Sequence, residues 1–240
     1  MKKTLIFVGL LAVCISGGSF AKEYRENETK ECGEDLKCDL NGRLITGLVR
    51  GYKEKVLPSE TPYVNGRKEG TEISYHLNGK LRSEVPYVRG KRRGLARQYY
   101  QDGKLMQELT YENDKRNGIQ KLYHGNGNLW MEIPCKDDEM DGIVKVYYES
   151  GNLESEAPHR KGKPEGVSKK YFENGNLMIE TPFKNGEIKG VVKVYYEDGK
   201  LRGEIEFKSG KVSSGYIYDR EGEKKKASKA KLKELQDSLP

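Results

Sequence analysis

The feature that most constrains this chain is a repeat of 24 residues. When the units are aligned, glycine recurs at two positions, which we call columns. The glycine of the first column follows Asn, Asp or Ser and precedes Lys-Leu or Asn-Leu. Six units therefore fill residues 70–213 without an insertion or deletion between them. Such a strict period is typical of a repeat array, in which each unit contacts mainly its neighbours. The columns are Gly79, Gly103, Gly127, Gly151, Gly175, Gly199 and Gly70, Gly94, Gly118, Gly142, Gly166, Gly190.

Each unit is predicted to be a β-hairpin. Asn-Gly or Asp-Gly between segments rich in Val, Ile and Tyr favours a type I′ turn, in which both central residues have positive φ. No helical period of apolar residues appears within the units. The segment from one hairpin to the next is expected to be a longer return loop. The predicted fold class is all-β: an elongated single sheet of hairpin repeats, an antiparallel meander, with a short C-terminal helix.

The turn predicts the pairing of the strands. If Asn174 and Gly175 are its central residues, Lys169 faces Glu180. Equivalent Lys–Glu or Arg–Glu pairs follow in every unit except the first, where Ile73 replaces the base. The recurring glutamate is thus explained as half of a cross-strand charge pair.

The same register places Phe172 opposite Leu177 and sorts the two faces of the sheet, because side chains alternate along a strand. The recurring tyrosines share one face with the charge pairs, and the leucines share the other with the second aromatic column. Proline cannot donate a hydrogen bond within a central strand. We therefore expect the second strand to end just before Pro182 and before its equivalents Pro86, Pro134 and Pro158.

The N-terminal 21 residues have the pattern of a cleavable signal peptide, with two lysines, an apolar run from Leu5 to Ile15 and small residues before Ala21. An exported protein is expected, in the periplasm, at the cell surface or secreted. Lipidation at Cys14 is the alternative, although Val13 before it does not fit a bacterial lipoprotein signal. No later apolar run is long enough to span a membrane.

Two segments flank the repeats. Residues 22–46 are expected to cap the N-terminal end, and 47–69 form a degenerate unit within a repeat region of 47–219. Cys32 and Cys38 are close enough in sequence to form a disulfide in an exported protein.

The C-terminal segment 220–240 is basic, with seven Lys/Arg against four Asp/Glu. Glu223 to Leu239 is predicted to be helical, with Leu232, Leu235 and Leu239 on one side. The rest of the chain is nearly neutral, which argues against a nucleic-acid partner.

The sequence carries no recognisable catalytic, cofactor-binding or metal-binding motif. His76, His124 and His159 occupy aromatic columns, where they replace Tyr or Phe in packing, and Cys135 is expected to be buried in the same way. A glycosidase needs two differentiated carboxyl groups, but the recurring glutamates are all equivalent. We therefore predict that the protein is not an enzyme.

The unit Gly-x4-Tyr-ring-x-Asn/Asp-Gly-Lys/Asn-Leu-x-x-Glu-x-Pro-Tyr/Phe-x-x-Gly-Lys resembles the bacterial variant of the MORN repeat. The resemblance covers about residues 47–219 and departs from the original MORN pattern in lacking its regular tryptophan. It implies a sheet of hairpin repeats that acts as an interaction or scaffold module. Some bacterial relatives carry an antitoxin-like label.

The function expected from this evidence is binding of a protein partner at or outside the cell envelope. Binding of carbohydrate or cell-wall glycan through aromatic rows is the alternative, and an antitoxin-like role is a further one. The recurring tyrosines are the candidate partner-binding residues, since exposed rings in a regular row suit such ligands. They are Tyr75, Tyr99, Tyr123, Tyr147, Tyr171 and Tyr195. The other interpretation is that these rings only pack, covering a sheet that has no second layer.

Overall fold

The computed structural model describes residues 22–33, 35–53, 56–208 and 210–237. These residues form one long, open 23-stranded sheet, a separate two-stranded hairpin, a 3-10 helix (Glu26–Glu28) and one α-helix. The predicted fold class is confirmed. The predicted signal peptide, the lipidation candidate Cys14 and Leu239 lie outside the described residues.

The strands before the repeats are β1 (Lys22–Arg25), β2 (Thr29–Gly33), β3 (Leu36–Asp39), β4 (Gly47–Lys53), β5 (Val56–Val64) and β6 (Arg67–Lys68). The first three repeats contain β7 (Gly70–Tyr75), β8 (Leu81–Val88), β9 (Lys91–Arg92), β10 (Gly94–Tyr99), β11 (Leu105–Glu112), β12 (Lys115–Arg116), β13 (Gly118–Tyr123), β14 (Leu129–Lys136) and β15 (Glu139–Met140). The rest are β16 (Gly142–Tyr147), β17 (Leu153–Arg160), β18 (Lys163–Pro164), β19 (Gly166–Tyr171), β20 (Leu177–Lys184), β21 (Glu187–Ile188), β22 (Gly190–Tyr195), β23 (Leu201–Lys208), β24 (Lys211–Tyr218) and β25 (Lys224–Lys226), followed by α1 (Lys229–Asp237).

Every repeat is one hairpin of a six-residue and an eight-residue strand, and each hairpin pairs in an antiparallel manner with the next. At the N-terminal edge, β1 pairs in parallel with β4. At the C-terminal edge, β25 pairs with β24. Strands therefore follow one another across the sheet in the order of the sequence, which is why the 24-residue period becomes a spatial period.

The glycine turn is not the predicted type I′ turn. The Gly175 amide donates to the Phe172 carbonyl at 2.9 Å, and the Phe172 amide donates to the Asn176 carbonyl at 2.8 Å. Gly175 has φ of +88°, whereas Asn174 is not among the residues with positive φ. This geometry is a three-residue loop that ends in a glycine bulge. The predicted contact of Phe172 with Leu177 is wrong, because Tyr171 takes that place.

The predicted charge pairs are still in register, because a bulge in the strand compensates for the longer loop. The loop has one residue more than predicted, and a bulge between Lys170 and Tyr171 adds one residue to the opposite strand. Beyond the bulge the two shifts cancel, so that Lys169 faces Glu180 as predicted. The equivalent cross-strand positions in the other repeats agree with the prediction as well.

The return connections are also shorter than predicted. Asn185 and Gly186 have φ of +53° and +88° and join Lys184 directly to Glu187 across a two-residue turn. Two successive residues with positive φ define a type I′ turn. The expected longer loop is therefore wrong, and the type I′ geometry occurs here rather than at the other turn.

The predicted strand ends before the prolines are wrong too. Pro182 lies inside β20, and its carbonyl accepts a hydrogen bond from the Lys189 amide at 3.0 Å. Lys189 interrupts the neighbouring strand between β21 and β22. The proline nitrogen therefore lies where the ladder is already broken, and no ladder bond is lost.

This arrangement also explains the second glycine column. Gly142 has φ of +129°, and a Cβ on it would lie 2.9 Å from Pro134 Cβ. At the equivalent glycines, an added Cβ would meet Pro62, Pro86, Pro158 or Pro182. At Gly118 it would meet Thr110, which stands where the proline is missing. The proline of one repeat and the glycine of the next are thus complementary in shape.

Residues 22–46 contact the first hairpin. Ile45 is fully buried, its carbonyl accepts from the Gly66 amide, and the Lys37 amide donates to the Gly66 carbonyl. Cys32 and Cys38 form a disulfide between β2 and β3. This small hairpin covers the turn between β5 and β6.

The C-terminal segment differs from the predicted helix. Lys224–Lys226 extend the sheet as β25, and α1 begins at Lys229, where the Ser228 hydroxyl accepts from the Lys231 amide. Leu235 is fully buried against the sheet, and a Cβ on Gly203 would lie 2.9 Å from its Cδ1. The core cluster of the protein lies here, formed by Ile179, Val192, Ile205, Phe207 and Leu235.

Candidate functional site

The two faces of the sheet differ. We call the face that α1 covers the helix face and the opposite one the tyrosine face. On β22, Val192 and Val194 point to the helix face and are buried. Val191, Lys193 and Tyr195 alternate with them and point to the tyrosine face. No described helix covers the tyrosine face.

A charge row crosses the middle of the tyrosine face. Acidic and basic residues lie directly opposite one another on successive strands, so that each base has a glutamate on both sides. Arg97 Nε lies 3.1 Å from Glu108 Oε1. The row consists of Glu84, Arg97, Glu108, Lys121, Glu132, Lys145, Glu156, Lys169, Glu180, Lys193 and Glu204.

The nearest ion pair is often not the predicted one. Lys169 Nζ lies 4.0 Å from Glu156, which belongs to the preceding hairpin, although Lys169 is also paired in register with Glu180. The ion pairs of the charge row therefore join neighbouring hairpins to one another as well as the two strands within a hairpin. Exposed pairs of this kind contribute at most about 1 kcal/mol each.

The tyrosine row, formed by the six candidate tyrosines, lies beside the charge row. The Tyr147 hydroxyl donates to Glu132 Oε2 at 3.1 Å, and Tyr171 donates to Glu156 at 2.9 Å. Tyr99, Tyr123 and Tyr195 make the same bond to the glutamate of the repeat before them. All six rings are half-buried. Each glutamate thus accepts a tyrosine hydroxyl in addition to its cationic neighbours.

This bond changes the acidity of the tyrosines. Burial and the hydrogen bond to Glu108 raise the pKa of Tyr123 to about 12. The same two causes raise the pKa of Tyr171 and of Tyr195 to about 12. The hydroxyls therefore remain protonated donors over the whole physiological pH range, and they are not poised to act as bases.

A third row was not identified from the sequence. Leu95, Ile119, Ile143, Val167 and Val191 recur every 24 residues, lie on the tyrosine face and are 38% to 51% exposed. We call them the aliphatic row. The sequence contained enough information to place this row. Each residue follows a glycine of the second column and precedes the base of the charge row by two residues, so the alternation of side chains puts it on the same face as that base.

The prolines of the second strands complete this row. Pro134 lies opposite Ile119, Pro158 opposite Ile143 and Pro182 opposite Val167. The tyrosine face therefore presents an apolar band, the charge row and the tyrosine row side by side. Contiguous exposed apolar surface of this kind usually marks a site of interaction.

The second aromatic column has a structural role that the sequence did not reveal. The Tyr148 hydroxyl donates to the Tyr171 carbonyl at 2.7 Å, and His124 Nε2 lies 2.9 Å from the Tyr147 carbonyl. Histidine replaces tyrosine here because its ring also reaches the backbone of the next repeat.

Catalytic features are sparse among the described residues. No group of three or more His, Cys, Asp and Glu residues in that part of the chain could hold a metal ion. Cys135 is a free, buried thiol whose pKa is raised by burial. The described region also lacks a helix long and apolar enough to cross a membrane.

The fold and the three rows define the protein as an open sheet of β-hairpin repeats. The model of the MORN repeat variant family matches residues 68–89, 92–113, 116–137, 140–161, 164–185 and 188–209. The matched segments cover more than half of the sequence, and the chain belongs to that family. A comparison with curated proteins gives no significant match. The family is one of repeat modules, which are typically not catalytic.

Proposed function

We propose that this protein is an exported, non-catalytic scaffold that binds a protein partner through its tyrosine face at or outside the cell envelope. The observation that carries the proposal is the aliphatic row, which is exposed on a face left open by α1 and flanked by paired charges. Exposed apolar residues next to charged and aromatic ones are a usual composition of a protein interface. The six tyrosines of the tyrosine row are its candidate binding residues.

Export is supported by the Cys32–Cys38 disulfide, which suits an oxidising compartment. Mass spectrometry of the protein recovered from a bacterial host should find Lys22 as the N-terminal residue. A lipid-modified N-terminus at Cys14 would support the lipoprotein alternative instead.

Photo-cross-linking in the native host tests the binding role. A photoreactive residue at Lys145, on the tyrosine face, is expected to form a cross-link to a different envelope protein. The same residue at Ser155, on the helix face, is the matched control and should not form that cross-link. If neither position yields a cross-link to a different protein, binding of a heterologous partner is wrong.

The glycan-binding and antitoxin-like alternatives predict different results. Retention of the purified protein on peptidoglycan would support the glycan alternative, and Tyr→Ala variants of the tyrosine row should then reduce that retention. A cross-linked partner with toxin activity would support the antitoxin-like role. No contact in the described residues favours either alternative over a protein partner.

A further inference from the structure

We propose that the tyrosine face also binds a second copy of this chain, forming a symmetric dimer in which the two sheets pack face to face. The proposal shares its surface with the proposed function but names a different partner. It rests on the order of the strands across the six hairpins, because a two-fold rotation brings each strand over a complementary strand of the second copy.

The argument rests on the alternation of strand types. In five of the six hairpins the first strand carries an aliphatic residue and a base, such as Ile143 and Lys145 on β16. Every second strand carries a glutamate, and four of the six carry a proline two residues later, such as Glu132 and Pro134 on β14. The six hairpins therefore present twelve strands that largely alternate between these two types.

An even number of alternating strands is self-complementary. A two-fold axis parallel to the strands and midway between β14 and β16 gives the greatest overlap of the six hairpins of two copies. It places each first strand over a second strand of the other copy. Lys145 then faces Glu132 of the second copy, and Ile143 faces its Pro134. Opposite charges meet and apolar residues meet in the same register, which favours a specific contact over non-specific sticking.

The repeats nearest the proposed axis contribute Ile119, Ile143 and Val167 to the aliphatic row. Exposed β-branched residues can be replaced by threonine with little loss of strand propensity. The triple variant Ile119→Thr, Ile143→Thr, Val167→Thr thus removes the exposed apolar side chains of these repeats while it retains the fold.

Sedimentation equilibrium of the protein purified from cells expressing the complete coding sequence measures the association. The wild type is expected to be a dimer, and the triple variant should dissociate at least about tenfold more readily. A variant with Leu40→Thr and Leu77→Thr is the matched control, because both residues are exposed and lie in turns, outside the strands of the tyrosine face. It should dimerise like the wild type.

A charge-swap experiment tests the register. Lys145→Glu alone and Glu132→Lys alone should each weaken the dimer, because each places like charges across the interface. A mixture of the two variants should restore association, since each new charge then meets its opposite in the other copy. Thermal unfolding of each variant shows whether the sheet itself remains intact.

The outcomes are distinguishable from those for the proposed function. A monomeric wild type, or a dimer unaffected by the triple variant, overturns the dimer even if Lys145 cross-links to another protein. A dimer that captures no other protein supports this inference and contradicts the binding of a heterologous partner. Failure of the mixed charge variants to restore association would show that the proposed register is wrong.

Discussion

At the scale of single residues, the recurring tyrosine and glutamate form one unit. Glu132 accepts from the Tyr147 hydroxyl of the following hairpin and lies 3.9 Å from Lys121 of its own. Conservation of both residue types along six repeats thus follows from a bond between hairpins. The sequence predicted the charge pair, but it could not predict the tyrosine bond, because that contact joins different repeats at a separation of 15 residues.

Removal of one hydroxyl should have a small and measurable effect. Tyr147→Phe is expected to lower the free energy of unfolding by about 1 kcal/mol, since the bond is charge-assisted but only half-buried. Chemical denaturation followed by circular dichroism measures the change. Tyr216→Phe is the control, because Tyr216 is exposed and its hydroxyl makes no hydrogen bond within the described residues. An unchanged stability of Tyr147→Phe would mean that the bond does not contribute.

Alkaline pH should destabilise the fold. The pKa of Tyr123, Tyr171 and Tyr195 is about 12 in the folded protein, against 10.0 as the ordinary value. Between these values the unfolded chain loses protons that the folded chain keeps, so the stabilisation is complete below pH 10 and is lost as the pH rises towards 12. Tyrosinate absorbance measured together with circular dichroism should show ionisation of these residues coinciding with unfolding. Ionisation near 10 in a folded protein would contradict this expectation.

At the scale of the elements, the hairpins were predicted correctly and their turns were not. Asn-Gly is compatible with both a type I′ turn and a three-residue loop with a glycine bulge. The choice depends on contacts beyond the turn. The Asn174 side chain accepts from the Asn176 amide, and the Asn176 side chain donates to the Glu197 carbonyl of the next hairpin. Local sequence could not reveal this second contact.

The pairing of proline and glycine between hairpins can be tested directly. Gly142→Ala should destabilise the protein by about 1–3 kcal/mol, because φ is positive and the new Cβ would meet Pro134. Gly151→Ala is the matched control, since its φ is also positive but no atom lies within 4 Å of the new Cβ. Thermal denaturation should show a larger loss for Gly142→Ala, and this loss should be smaller in a Pro134→Gly background, which lacks the Cβ that the new methyl group would meet. Equal losses at both glycines would exclude a role for the proline.

The helix α1 contributes through one buried side chain. Leu235→Ala should cost about 2–5 kcal/mol of local stability, because Leu235 is fully buried on the core cluster. Hydrogen exchange is expected to accelerate in β22–β24 and to stay unchanged in β10–β13. Exposed Leu77→Ala serves as the control and should change neither region. Acceleration throughout the sheet would show that the repeats unfold as a single unit.

At the scale of the whole molecule, stability is unevenly distributed along a nearly one-dimensional array. The core cluster lies near the C-terminal edge, and the disulfide-bonded hairpin lies near the N-terminal edge. The middle repeats have neither. Their order depends on neighbours on both sides, and a single transition for the whole chain is not expected.

Removal of the disulfide should therefore act locally. The double variant Cys32→Ser, Cys38→Ser is expected to destabilise the N-terminal hairpins by roughly 2 kcal/mol, because the closed loop is short. Hydrogen exchange of the Gly66 amide, which donates to Ile45, should accelerate, whereas the Leu232 amide in α1 should be unaffected. Equal acceleration at both sites would contradict the one-dimensional description.

The order of the strands also determines how the protein responds to force. The first and last strands, β1 and β25, lie at opposite edges of the sheet. Tension between these edges acts along the backbone hydrogen bonds, so each strand pair is peeled open in turn and the pairs do not share the load. A scaffold anchored at both ends should consequently lengthen one hairpin at a time under low force and recover its length when the tension falls, as an extensible tether does.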